Sequence, residues 1–152
     1  MLKKKRIISI PATCTAAALS FLLVFSSVAY AAEYAGSWCF YRTTNTIAAN
    51  TRAIISGTLD SPTVTQQARA THKTDINRLG LNAIIYNWNT GALLYSSGWQ
   101  YNPSVIPAQE FWKVSRTCAK KAGPIYAKGM MRLWDGNTKY KEFYPTGSPK
   151  LG

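Results

Sequence analysis

Beyond residue 31, polar and apolar residues alternate with period two along most of this chain, the spacing of a strand with one buried face. The clearest run covers 125–134. Ile125, Ala127, Gly129, Met131 and Leu133 fall on one side, and Tyr126, Lys128, Met130, Arg132 and Trp134 on the other. Asp135-Gly136-Asn137-Thr138 supplies turn residues, and 139–144 returns as the partner strand. Residues 81–88 and 93–99 flank Asn89-Thr90-Gly91, a polar loop whose glycine accommodates a positive φ, which predicts a second hairpin. Further strands are predicted over 38–41, 52–59, 64–72 and 111–118. Asp60-Ser61-Pro62 breaks the chain after 52–59. At 64–72 the alternation is loose, and a helix over 66–77 competes with the strand. Residues 101–107, marked by Asn102-Pro103-Ser104 and closed by Ile106-Pro107, read as a loop. About seven or eight short strands with frequent turns predict an all-β domain, a single antiparallel β-sandwich or small barrel.

The N-terminus has a different pattern. Lys3-Lys4-Lys5-Arg6 precedes an uncharged, largely apolar run over 16–28, and Ala29-Tyr30-Ala31 follows with small residues at alternate positions. That order describes a secretory signal peptide. The run is shorter than the roughly 20 residues a spanning helix needs. Residues 1–31 therefore read as a cleaved leader and 32–152 as one secreted, extracellular domain, expected to be a monomer. The whole chain carries a formal charge of +12. After the leader, fourteen basic residues still face six acidic ones. Such a field attracts an anionic envelope polymer or a membrane surface. Nucleic acid ranks behind these, since an exported protein meets it less often.

Removing the leader also removes Cys14 and leaves Cys39 and Cys118, an even pair in an oxidising compartment. A disulfide between them closes a loop of about 80 residues, worth roughly 4 kcal/mol in chain entropy. Two separate buried thiols are the other reading of the pair.

Catalytic chemistry has little to work with. His72 is the only histidine, with Asp75 three residues on, which is thin material for a triad. The mature carboxylates are Glu33, Asp60, Asp75, Glu110, Asp135 and Glu142, and Asp60 and Asp135 are explained by turns. One histidine and scattered acids do not build a coordination sphere. No metal or cofactor is expected, and the chain reads as a non-enzyme.

What stands out is a surface. A turn centred on Gly136-Asn137 pairs Trp134 with Lys139, Arg132 with Lys141 and Met130 with Phe143. The outward face then carries Tyr126, Lys128, Met130, Arg132, Trp134, Lys139 and Lys141. Arg132 directly opposite Lys141 asks for an acidic partner. Basic groups interleaved with flat aromatics suit a polyanion or an anionic sugar polymer. Lysines on an edge strand also guard against aggregation without any ligand. Trp38, Trp88, Trp99 and Trp112 read as core or rim aromatics. Trp99 and Tyr101, entering the 101–107 loop, form an alternative contact for an extracellular protein. The expectation is a secreted, cationic, non-catalytic binding protein at a bacterial envelope, acting in interbacterial antagonism. An inhibitor of an extracellular enzyme working through the loop is the alternative, and a small secreted hydrolase the third.

The lysine-led leader ending Ala29-Tyr30-Ala31, the early Trp38-Cys39, and the closing Tyr126-Ala127-Lys128-Gly129 and Trp134-Asp135-Gly136-Asn137 together resemble small secreted β-proteins of Bacillus, related Gram-positive bacteria and their temperate phages. The resemblance is one of organisation. It implies secretion and contact with an envelope or a competitor, and it carries over no catalytic residue.

Overall fold

A computed structural model describes residues 32–43, 47–136 and 139–152. Residues 1–31, read above as a leader, and Asn137 and Thr138 of the expected turn lie outside the described residues. The described chain is all β: β1 (Glu33–Ala35), β2 (Cys39–Arg42), β3 (Ala48–Thr58), β4 (Ser61–Ala70), β5 (Leu79–Asn82), β6 (Ile84–Asn87), β7 (Leu93–Ser96), β8 (Gln100–Tyr101), β9 (Phe111–Thr117), β10 (Ile125–Ala127), β11 (Met130–Trp134) and β12 (Tyr140–Phe143). All pairings between them are antiparallel, and no sheet closes on itself. The architecture is an open sandwich.

One layer runs β1-β3-β4-β9, with β2 sharing an edge of β3. The strand at 64–72 prevails over the helix because β4 is paired along both sides, to β3 and to β9. Its inward residues Val64, Gln66, Ala68 and Ala70 are buried, while Thr63, Thr65 and Gln67 are half-exposed.

The other layer consists of β12-β11-β5-β8 and β10-β6-β7. These two groups are halves of one bent surface. Met130 faces Asn82 and Ala127 faces Ile85 in an unbroken register, and the Lys128 N–H reaches Ile84 O at 3.1 Å across the bend. The bend passes through Ala83 and Gly129. It splits the predicted 81–88 and 125–134 strands in two, and is one reason there are twelve strands instead of seven or eight. The short β1 is another. The 89–91 hairpin forms as expected, with Gly91 at φ +69° and Asn87 Oδ1 accepting from the Asn89 and Thr90 amides.

Between the layers lie Ile55, Val64, Leu79, Leu81, Ile85, Ile125, Met131 and Leu133, all fully buried. Each contributes about 1.5–3 kcal/mol by leaving water. The inward set expected of 125–134 is the observed one.

The disulfide is corrected. Cys39 and Cys118 are free thiols. Cys39 pairs with Thr51 on β3, whereas the Cys118 amide bonds Pro62 O, and Pro62 faces Gly57 on the same strand. Six residues of β3 separate the two anchor points, about 20 Å. A bridge needs Cα atoms within about 7 Å. Cys39 Sγ instead lies 3.5 Å from Thr146 Oγ1, and burial pushes the Cys118 thiol up. Both cysteines should therefore alkylate in denaturant without prior reduction, and reductant should leave Tm unchanged. A 39–118 linked peptide in a non-reducing digest would contradict this.

Candidate functional site

The outer face of the bent layer is where the sequence placed its binding surface. Tyr126, Lys128, Met130, Arg132 and Trp134 do line its outer side, alternating with the five buried residues. The return strand sits one residue away from its expected register. Trp134 faces Tyr140, Arg132 faces Glu142, Leu133 faces Lys141 and Met131 faces Phe143. The Asp135 N–H donates to Lys139 O at 2.9 Å, closing a five-residue connection in place of the expected four. One extra residue reverses the side on which each β12 residue falls. Lys139 and Lys141 are therefore absent from the outer face. Both are exposed, and the Lys141 ammonium lies 5.7 Å from the Phe143 ring on the core side of the edge strand. Tyr140 and Glu142 take their places. The acidic partner that Arg132 required is thus Glu142, directly opposite.

A row of four residues, Tyr101-Gly80-Arg132-Glu142, crosses β8, β5, β11 and β12. Gly80 makes the row possible, because a Cβ there would come within 2.7 Å of Tyr101 Cε1. The tyrosine ring crosses the bare backbone and accepts a hydrogen bond at Oη from Arg132 Nη1 at 2.9 Å. Arg132 Nε donates to Glu142 Oε1 at 2.8 Å, and Nη2 donates to the same oxygen. Its guanidinium carbon stands 4.0 Å from the centroid of Trp99. Glu142 Oε2 accepts from the Tyr144 hydroxyl at 2.8 Å.

The hydrogen bonds from Arg132, then from Tyr144, hold the Glu142 carboxyl below the usual range. For Arg132 partial burial works against the charge, but the bonds to Tyr101 and Glu142 outweigh it and raise its pKa. Beside this row, Arg78 stacks on Trp134 at 4.1 Å. The Tyr140 ring lies 5.0 Å from Tyr101 and 5.2 Å from Trp134, and its hydroxyl donates to Asn77 O. Trp99 and Tyr101, read as a loop contact, thus belong to the same cluster as Arg132 and Trp134. Tyr101 is in β8, and the predicted 101–107 loop starts one residue later.

The same face continues past the bend. Tyr86 and Tyr126 stack at 5.7 Å, and Trp88 meets Tyr126 edge-on at 5.4 Å. Trp88, Tyr126 and Lys128, together with the 144–148 segment, line an open groove of about 620 Å³. The segment is pinned from both sides. Tyr41 Oη donates to Tyr144 O at 3.0 Å, and Ser148 N donates to Ala127 O at 2.8 Å. Gly147 lies against Tyr126 so closely that a Cβ would sit 2.9 Å from the ring. Tyr144 belongs to the groove by position and to the Arg132 cluster through Glu142, so the two regions form one stripe.

Sequence reasoning missed Arg78, Trp88, Tyr140, Glu142 and Tyr144. Trp88 is 48 % exposed and Trp38 is 40 % exposed, so of the core-or-rim reading only the rim is left for them. Trp99 and Trp112 are half-buried. A signal for the β12 residues was present in the alternation of Tyr140, Glu142 and Tyr144, which needed only the other register. Elsewhere, His72 is exposed, with Nδ1 3.0 Å from Thr71 Oγ1, and Asp75 pairs with Lys73 at 3.8 Å. No protein-family model matches this chain, and no curated protein does either.

Proposed function

We propose that this chain is an exported, non-catalytic binding module that takes an anionic glycan polymer of a bacterial envelope along the face from Trp88 to Trp134. One observation carries the reading: stacked aromatics and cations form a continuous stripe there. Met130 to Trp134 spans about 13 Å of strand, and the stripe continues past the bend to Tyr126 and Trp88, which gives room for more than one unit of a linear polymer. Flat rings offer stacking surfaces for sugar rings, and tyrosine hydroxyls offer hydrogen bonds. Lys128, Arg78 and Arg132 supply positive charge against the single carboxylate of Glu142. Lys128 and Arg78 meet no carboxylate among the described residues. Glu142 has both oxygens engaged by neighbours. That favours a fixed recognition surface over a proton-transfer group. Trp99 and Tyr101 are locked into the same stripe, which weighs against a separate inhibitory loop.

The test is retention on isolated Gram-positive cell walls, intact or stripped of their anionic polymer, across a salt series. Retention on intact walls should fall steeply with salt, because screening acts on exposed charge. Trp88→Ala and Trp134→Ala should each weaken it about tenfold. Equal retention on stripped walls, or none at low salt, would overturn the reading.

A further inference from the structure

The opposite face of the sandwich has its own surface, which the expectations from sequence did not include. On the outer side of the β1-β3-β4-β9 layer, register places Phe40, Asn50, Arg69 and Phe111 in one cross-strand row. Arg52, Gln67 and Lys113 form the next row, with Trp38 leaning over Arg52 at 4.5 Å and reaching the Phe111 ring at 5.9 Å. Phe40 is 59 % exposed and Phe111 51 %. Large apolar rings grouped on an exposed sheet face need an explanation. None of Arg52, Arg69 and Lys113 meets a carboxylate among the described residues. Among the described residues, Arg52 donates to Gln67 Oε1 at 3.2 Å and Arg69 donates to Gln109.

We infer that this face docks on an anionic lipid bilayer. Phe40 and Phe111 have no polar atom with which to grip a sugar, unlike the tyrosines of the other face, and they suit the boundary of the acyl region. Trp38 suits the headgroup level, where amphipathic rings collect. Arg52, Arg69 and Lys113 stand among the rings with long apolar stems and charged heads, positioned for lipid phosphates. A second copy of the chain fits this face poorly. A two-fold pairing would bring three cations of each copy together, with only Glu33 and Glu110 nearby to offset them. The inference is independent of the glycan reading and gives the two faces of the sandwich separate partners.

The experiment is cosedimentation of the purified chain with vesicles of phosphatidylcholine and phosphatidylglycerol in equal parts, against phosphatidylcholine alone. The same chain is used throughout, so any retained leader contributes equally to every variant. Preferential binding to the mixed vesicles is expected. Arg52→Gln and Arg69→Gln should each weaken it about fivefold. Phe40→Ser with Phe111→Ser should abolish the blue shift of tryptophan emission on binding. These side chains point to solvent, and an unchanged melting curve verifies that the variants fold. Wall retention should be unaffected by the same substitutions, so failure of one assay leaves the other interpretable. Equal binding to both vesicles, insensitivity to these substitutions, or a dimer that the Phe40→Ser/Phe111→Ser variant converts to monomer would overturn the inference.

Discussion

Gly129→Ala is expected to lower folding stability by about 3 kcal/mol, near the upper end for overpacking a core. A Cβ on Gly129 would lie 1.9 Å from Gln66 Oε1 and 2.7 Å from Asn82 O. The first obstacle is the end of a side chain, and the second is backbone held in the sheet. Gln66 has little room to retreat. It is fully buried, and its Nε2 donates to Thr51 Oγ1 at 2.7 Å while Thr51 donates onward to Gln67 O at 2.8 Å. Its Oε1 has no hydrogen-bond partner among the described residues. Urea unfolding should show the loss as a lower midpoint, with Tm falling by roughly 10 °C. A Gln66→Ala background should return part of the loss and no more, since the carbonyl of Asn82 stays in place. The double-mutant cycle reads that partial relief directly. A Gly129→Ala protein with an unaltered midpoint would mean that the two layers do not approach each other at the bend as described.

If the proposed polymer binding holds, Arg132→Ala should be the single change most damaging to it, weakening it about 30-fold. The guanidinium ties Tyr101, Trp99 and Glu142 together. Its removal frees two aromatic rings and leaves the carboxylate facing the polymer with only Tyr144 as donor. Folding should suffer far less, by about 1 kcal/mol, because both partners of the ion pair remain partly in water. Arg132→Lys should not rescue binding. An ammonium cannot make the forked contact with Glu142 while stacking on Trp99. The same pair sets a pH dependence. Glu142 has a lower pKa folded than unfolded. Its contribution to stability is therefore complete above the ordinary carboxylate value and disappears as pH falls through the folded value. An Arg132→Ala protein should lose the larger part of that acid-limb component, keeping what the Tyr144 hydroxyl supplies, when melting is followed from neutral to acidic pH. Wild-type affinity left intact by Arg132→Ala would remove this residue from the site.

The alternation of 125–134 was legible because both of its sides are decided by burial alone, and burial follows side-chain chemistry. The antiparallel all-β class followed from the same cue and from turn residues such as Gly91. The register of β12 was not legible. It depends on the number of residues in a connection, and Asp135-Gly136-Asn137-Thr138 suits a four-residue turn as well as part of a longer one. The cysteines misled for a related reason. An even count says nothing about position along a strand, and β3 is long enough to keep Cys39 and Cys118 at different ends. Trp38 and Trp88 read equally as core or rim aromatics, because a large ring at a strand end has no preferred side until a neighbouring strand fixes one. The face that carries Phe40 and Phe111 was hidden because its members come from strands far apart in the chain, joined only by pairing.

The five-residue connection after Trp134 has an evolutionary consequence. A codon gained between Asp135 and Lys139, with the connection kept at five residues, would exchange every outward and inward position of the terminal edge strand at one stroke. Lys139 and Lys141 would then replace Tyr140 and Glu142 beside Arg132. The same step would turn Phe143 out of the core and Glu142 into it, so the length of this connection is held by the burial of the edge strand as much as by the face the strand presents.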